Sequence, residues 1–221
     1  MPKVGMGPIR KNQVINAALA CISESGFEKF TLESVARKAG ISKGVVSYYF
    51  KGKEDVILQS FRVFLDHYNT RVAEAMNTET SALKMLEAMI DVVVFPKTLS
   101  QASEHIESDP QPEDENKITI TLPADQFFSL LIHYYAHMQQ NEKLQEIYQE
   151  ITQQYLDGVI AILEYGVEQK EFKFINLLPA AYAIMAQMDG LILYEGLGFK
   201  PLGKREVKKA FHAFLKNLLT P

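Results

Sequence analysis

Apolar residues recur along most of this chain three and four positions apart, with polar stretches between, a pattern of helices rather than strands. Val14, Ile15, Ala18, Leu19 and Ile22 form the first stripe and Gly26 follows as a stop, which predicts a helix over about residues 8–25. Thr31 stands at an N-cap position before Leu32, Val35, Ala36 and Ala39, and Gly40 ends that short second helix. Ser42 caps a third, equally short one that runs through "KGVVSYY" to Phe50. Glu54 and Asp55 open a fourth, favoured there by the positive end of the helix dipole. Val56, Ile57, Phe61, Phe64, Leu65, Tyr68 and Val72 carry it to about Met76, and at ~1.5 Å per residue it spans roughly 35 Å, enough to join two domains. Residues 81–95, 124–140, 142–169, 177–195 and 204–219 read as further helices. "KITITL" at 117–122 alternates like a strand but has no second strand to pair with, so it reads as an extended lead into the next helix. The expected class is all-α, with a small head over residues 1–54 and a larger body over 55–221.

Two of these helices ask for a cover. The one at 177–195 is apolar nearly all round, and such a helix must be covered on every side. The last helix is amphipathic, and few companions are available in the chain. A second copy is the expected cover, making a homodimer whose interface includes Ile184, Met188 and Leu191 with Val207, Phe211, Phe214 and Leu215.

Composition changes this picture little. At 221 residues, 47% hydrophobic and 23% charged, the chain is an ordinary globular protein with material for a sizeable core. Cys21 is the single cysteine, so no intrachain disulfide forms, and its apolar neighbours make it core filler. Lys3, Arg10 and Lys11 before "VINAALACI" resemble a signal peptide only superficially, because no suitable cleavage site follows. No run approaches the roughly 18 uninterrupted apolar residues of a membrane span. The expectation is a cytoplasmic protein without a membrane partner.

Charge changes it more. Residues 1–53 hold nine Lys/Arg against three Asp/Glu, whereas residues 54–221 hold fourteen against twenty-four. A basic head on an acidic body suggests a polyanion-binding module joined to something else. Within the body, "EHIESDPQPEDE" at 104–115 has six acids and no Lys or Arg, and reads as a solvated loop within 97–123.

Two short helices across the tight "GIS" turn at 40–42, behind a longer helix, read as a helix-turn-helix. On the third helix Val46 and either Tyr49 or Phe50 face inward while Lys43, Gly44, Val45, Ser47 and Tyr48 face out. Small and apolar residues let a helix approach thymine methyls in the major groove, and a long donor reaches base edges. Tyr48 and the flanking Lys51 and Lys53 suit phosphates. The plainer alternative is a core helix of a small bundle, against which the basic flanks argue.

Residues 31–56, "TLESVARKAGISKGVVSYYFKGKEDV", closely resemble the DNA-binding signature of the tetracycline-repressor (TetR) family. The matching features are the Thr-capped short helix, the Ala-Gly-Ile-Ser turn, the Lys-Gly opening, the Tyr-Phe close and the Lys-x-Lys-Glu-Asp run into helix four. The N-terminal residues with "GVVSYYF" are most similar to its choline-responsive branch, and "AQMDGLIL" at 186–193 resembles the family's penultimate, dimer-forming helix. The resemblance implies an all-helical homodimer, with its heads on a palindromic double-stranded DNA operator and a small-molecule pocket in each body. Lys43, Gly44 and Val45 would approach bases, with Ser42 and Ser47 beside them, while Thr31, Tyr48, Tyr49 and Lys53 would hold phosphates. Many members carry tyrosine where this chain has Ser47, so the contact there is shorter or absent. The acidic loop after Phe95 does not align, which separates the pocket question from the choline-responsive branch.

For the pocket, the expected residues lie beside the far end of helix four. They are Met85, Met89, Phe127, Phe128, Leu131, Tyr134, Tyr135 and Met138, a mixture suited to a mostly hydrophobic small molecule. Tyr134, Tyr135, Glu87 and Asp91 would also accommodate a cation, and a neutral ligand fits as well. The same stripe at helical spacing reads equally as plain core. An enzyme needs a constellation, and the best candidate is His133 with His137, whose i, i+4 spacing puts both imidazoles on one helix face as for a metal. No third ligand is identifiable, and no phosphate loop or nucleophile elbow is present, so neither enzyme nor cofactor is expected. A helical interaction module that ignores DNA is the other alternative, and the basic head argues against it.

Overall fold

The computed structural model describes residues 6–94, 120 and 124–220. The described residues form nine helices and no strand: α1 Met6–Ser25, α2 Leu32–Ala39, α3 Lys43–Tyr49, α4 Lys53–Asn77, α5 Ala82–Val94, α6 Ala124–Met138, α7 Glu142–Glu168, α8 Leu177–Gly196 and α9 Lys204–Leu219. The expected all-α class holds, and the predicted boundaries fall within two residues of these. The acidic loop at 97–123, including "KITITL", lies outside the described residues except for Ile120, which is buried.

The chain divides into two compact units, and the division differs from the one expected at residue 54. The first unit holds the chain to His67 together with α6 and the start of α7; the second runs from Tyr68 to the end of α5 and from Glu146 onward. α6 therefore belongs with the basic head. In this unit α1 packs against both α2 and α6, burying Val14, Ile15, Ala18, Leu19 and Ile22. Two hydrogen bonds fasten α1 to α6: Ser23 Oγ to Gln126 Oε1 at 3.0 Å, and Ser129 Oγ to the Ser23 carbonyl at 2.9 Å.

Aromatic rings fill the space behind. Phe61 stacks on Tyr134 at 4.3 Å, Phe64 lies 5.4 Å from Phe127, and Tyr134 shares a hydrogen bond of 3.0 Å with the buried Ser60 hydroxyl. Burying each such ring contributes about 1.5–3 kcal/mol, and the shared hydroxyl bond leaves no orphan polar group behind. Burial raises the Tyr134 phenol well above its ordinary range, against the Ser60 bond, so it stays protonated.

In the second unit α5 packs against α8 and α9. Glu171 closes the start of α5, accepting from Ser81 Oγ at 2.7 Å and from the Ala82 and Leu83 amides at 3.2 and 3.4 Å. These bonds outweigh desolvation and hold its carboxyl below the ordinary value. Lys208 of α9 pairs with Asp91 of α5, and His212 Nδ1 lies 3.3 Å from Glu87 Oε1.

Candidate functional site

The head is shaped by local capping. Thr31 takes extended backbone (φ −135°, ψ 154°), and its Oγ1 accepts from the Ser34 amide at 3.0 Å while Ser34 Oγ accepts from the Thr31 amide at 3.1 Å. Gly40 ends α2 in the left-handed region with φ 67°, and the Ile41 amide then reaches the Ala36 carbonyl at 3.0 Å. Ser42 Oγ caps α3 by accepting from the Val45 amide at 3.3 Å. These caps fix the turn, and Val35, Ala36, Val46 and Phe50 fasten both helices to the core. What α3 leaves outside is Lys43, Gly44, Ser47 and Tyr48, with Ser42 before and Lys51 after; Val45 and Tyr49 are half-buried. Tyr48 is 72% exposed and meets Tyr49 edge-on at 4.9 Å, so its hydroxyl is carried outward.

α4 is anchored at its start. The Lys51 amide donates to Asp55 Oδ2 at 2.7 Å, and Lys53 Nζ donates to the Phe27 carbonyl at 3.2 Å while lying 5.7 Å from the centre of the Phe30 ring. His137 stacks on Phe27 at 4.1 Å and 11°. Burial first, and the Lys53 charge second, hold its imidazole below the ordinary value, so it is neutral at pH 7.

The second unit carries a cavity of about 210 Å³ beside the C-terminal half of α4. Asn69, Val72 and Met76 of α4 line it with Met89 of α5, and α7 supplies Gln154, Tyr155, Gly158, Val159 and Ile162. The Tyr155 hydroxyl is buried and has no hydrogen-bond partner among the described residues. A second cleft of about 230 Å³, in the same unit, is lined by Leu191, Tyr194, Phe199, Leu202, Val207 and Phe211 among others.

Residues 14–59 match the family model for bacterial regulatory proteins of the tetR family. The head thus carries that family's DNA-binding domain over the very residues whose caps set α2 against α3. Over its head the chain is similar to the TetR family. Among curated relatives, the HTH-type transcriptional regulator BetI of Serratia proteamaculans (strain 568) is 41% identical over 83 residues, which is 38% of this chain and 40% of the relative. BetI of Klebsiella pneumoniae (strain 342) is 24% identical over 221 residues, covering 99% of this chain and 98% of the relative. Most of the similar BetI relatives are thus matched over less than half their length, and the match is concentrated in the head. A solved regulator from Saccharomonospora viridis in complex with choline shares the fold with a TM-score of 0.75, at 15% identity over 96% of this chain and 97% of that one.

The residues expected at DNA lie together on the head. Thr31, Ser42, Lys43, Gly44, Ser47, Tyr48, Lys51 and Lys53 are exposed there. Two have a structural task as well: the Thr31 hydroxyl caps α2, and Lys53 ties α4 to the turn after α1. The expected pocket set is not brought together. Phe127, Phe128, Leu131, Tyr134 and Met138 are buried in the first unit, where rings fill the space, and Tyr135 is half-buried there. Met85 is half-buried on α5, and Met89 alone of the eight lines the cavity beside α4.

The carboxylates set aside for a cation, Glu87 and Asp91, are engaged by His212 and Lys208. His133 and His137 serve the turn after α1: His137 stacks on Phe27, and a Cβ added to Gly26 would come within 3.1 Å of the His133 ring. Sequence reasoning missed the α7 wall of the cavity. Its signal was Gly158 inside an amphipathic helix, where a Cβ would meet nothing within 4 Å.

The interface set also changes. Ile184, Met188, Phe211 and Leu215 are buried within the chain itself, while Leu191, Val207 and Phe214 are half-buried. α8 instead exposes Leu178, Tyr182, Leu193 and Tyr194, at 55%, 68%, 42% and 50%, and Leu197 just after it is 64% exposed.

Proposed function

We propose that this chain is a cytoplasmic transcriptional repressor, working as a homodimer on a palindromic operator and released when a small molecule fills the cavity beside α4. The outward face of α3 carries the reading: a lysine, a glycine and a serine stand on a helix whose caps and core contacts fix its direction. Lys43 suits guanine O6 and N7, the partly exposed Val45 suits a thymine methyl, and Gly44 lets the backbone come close. Tyr48, Lys51 and the Thr31 edge suit phosphates, which position the head without reading sequence.

The exposed apolar stripe of α8 supports a second copy as its cover. By length and hydropathy α8, Leu177–Gly196, would also pass as a membrane span. Its buried side, with Ala181, Ile184, Met188 and Ile192 packed within the chain, favours a protein partner over lipid. Two copies place two α3 helices on one duplex, so half-sites fall about one helical turn apart or a multiple of it. The names of the relatives and the choline-bound neighbour support a ligand-responsive regulator in the same way. The ligand releases DNA only through a difference in its affinity for the DNA-bound and free conformations, so tight binding alone is not enough.

Selection of tight-binding duplexes from a random pool tests the reading. An inverted repeat should emerge, and affinity for it should fall steeply as salt rises, by roughly a factor of 10³ or more between 50 and 200 mM for six or more phosphate contacts. A pool that yields no sequence preference would reject the repressor reading.

A further inference from the structure

Among the described residues, the cavity beside the C-terminal half of α4 has walls that carry no formal charge: their polar groups are the Asn69 and Gln154 amides and Tyr155. We propose that the effector is a small uncharged molecule, largely apolar with one hydroxyl or carbonyl group, and not a quaternary ammonium. This rests on the reading of the chain as a ligand-released repressor.

A desolvated cation needs a countercharge or a cage of aromatic faces, because water's contribution must be replaced. Among the described residues the cavity offers one ring, Tyr155, and no second aromatic. The carboxylates that the sequence sets nearest to such a role, Glu87 and Asp91, are turned to His212 and Lys208 and are not in its wall. Asp189 of α8 acts on the Tyr155 hydroxyl through space but does not line the cavity either.

Apolar walls suit an uncharged body. Val72, Met76, Met89, Val159 and Ile162 supply them, and the methionines adapt their shape. The two amides supply both donors and acceptors for a single polar group. At about 210 Å³ the space lies below the usual ~300–1,000 Å³ of drug-sized sites, so the molecule is small.

A matched pair of probes isolates charge from shape: choline, and its carbon isostere 3,3-dimethylbutan-1-ol. The full-length protein is titrated with each by calorimetry, melting is followed in parallel, and operator binding is measured on the same preparation. The alcohol should bind at least about tenfold tighter than choline and raise the melting temperature. Gly158→Leu, which adds a side chain at a lining residue with open space around its Cβ, should abolish that binding.

Choline binding as tightly as the alcohol, or more tightly, would overturn the proposal; its loss in Asp189→Asn would name the carboxylate responsible. Binding of neither probe, by protein that still holds its operator, would also overturn it while leaving the regulator reading intact. Tight alcohol binding that leaves operator affinity unchanged would uphold the ligand class and sink the release mechanism.

Discussion

Gly40, Gly44 and Gly166 are glycine for three different physical reasons. At Gly40 the backbone has φ 67°, and a Cβ there would meet nothing within 4 Å, so the requirement is conformational. At Gly166 the requirement is space: a Cβ would lie 2.2 Å from Phe172 Cδ2 and 2.9 Å from the Ala82 Cβ, where α7 ends against the start of α5. Gly44 has neither excuse, since it lies in α3 with ordinary φ and its nearest obstacle is Ser42 Oγ at 3.8 Å.

Glycine inside a helix costs about 0.5–1 kcal/mol relative to alanine, a cost that the proposed approach of DNA to this backbone would account for. Gly44→Ala should therefore raise stability in urea by about 0.5–1 kcal/mol and weaken operator binding in fluorescence anisotropy. Gly166→Ala should lower stability by about 1–3 kcal/mol through overpacking, without touching α3. Operator affinity unchanged in Gly44→Ala would remove the argument that DNA comes close to that backbone. The stop at Gly40 was legible because the cap is local. The need at Gly166 was not, since Phe172 meets it only after the chain has turned back.

At the scale of elements, caps made the head readable. Thr31, Gly40 and Ser42 each act within four residues of themselves, so α2 and α3 appear in the sequence with near-correct ends. Packing partners are a different matter. The aromatic stripe of α6 did not reveal that Phe61, Phe64 and Ser60 are its partners; the plain-core reading fits Phe127, Phe128, Leu131, Tyr134 and Met138, which are buried.

The same limit applies to lysines. Among the described residues Lys43 has no partner and stands exposed on α3, whereas Lys53 holds the Phe27 carbonyl and covers the Phe30 ring. Lys43→Ala should leave melting unchanged and flatten base preference at one operator position, by about 1–3 kcal/mol. Lys53→Ala should weaken all duplexes alike, reduce the salt slope by about one, and lower the melting temperature as well. Identical profiles for the two variants across a set of operator changes would mean that neither role is assigned correctly.

For the whole molecule, the all-round apolar character of α8 announced that it needs cover without saying which side is covered by what. The chain itself covers Ala181, Ile184, Met188 and Ile192. Of the exposed remainder, Leu178, Tyr182 and Leu193 fall on one stripe of the helix at spacings of four and eleven, with Tyr194 to one side of it. A glutamate on the buried side and one on the exposed side should thus fail differently. Met188→Glu buries a charge among apolar side chains and should unfold the second unit, by several kcal/mol. Leu178→Glu with Tyr182→Glu leaves the fold intact, so circular dichroism should be unchanged while sedimentation shows a monomer.

A monomer presents one α3 to the duplex. It forfeits half the phosphate contacts and the effective concentration that the first bound head gives the second. Its operator affinity should fall at least about a hundredfold, and its salt slope should drop to about half that of the dimer. A double variant that is monomeric yet binds the full operator as tightly as the parent would show that dimerisation is not how this chain reaches its site. A double variant that stays dimeric would show that the second copy sits elsewhere than on the exposed stripe of α8.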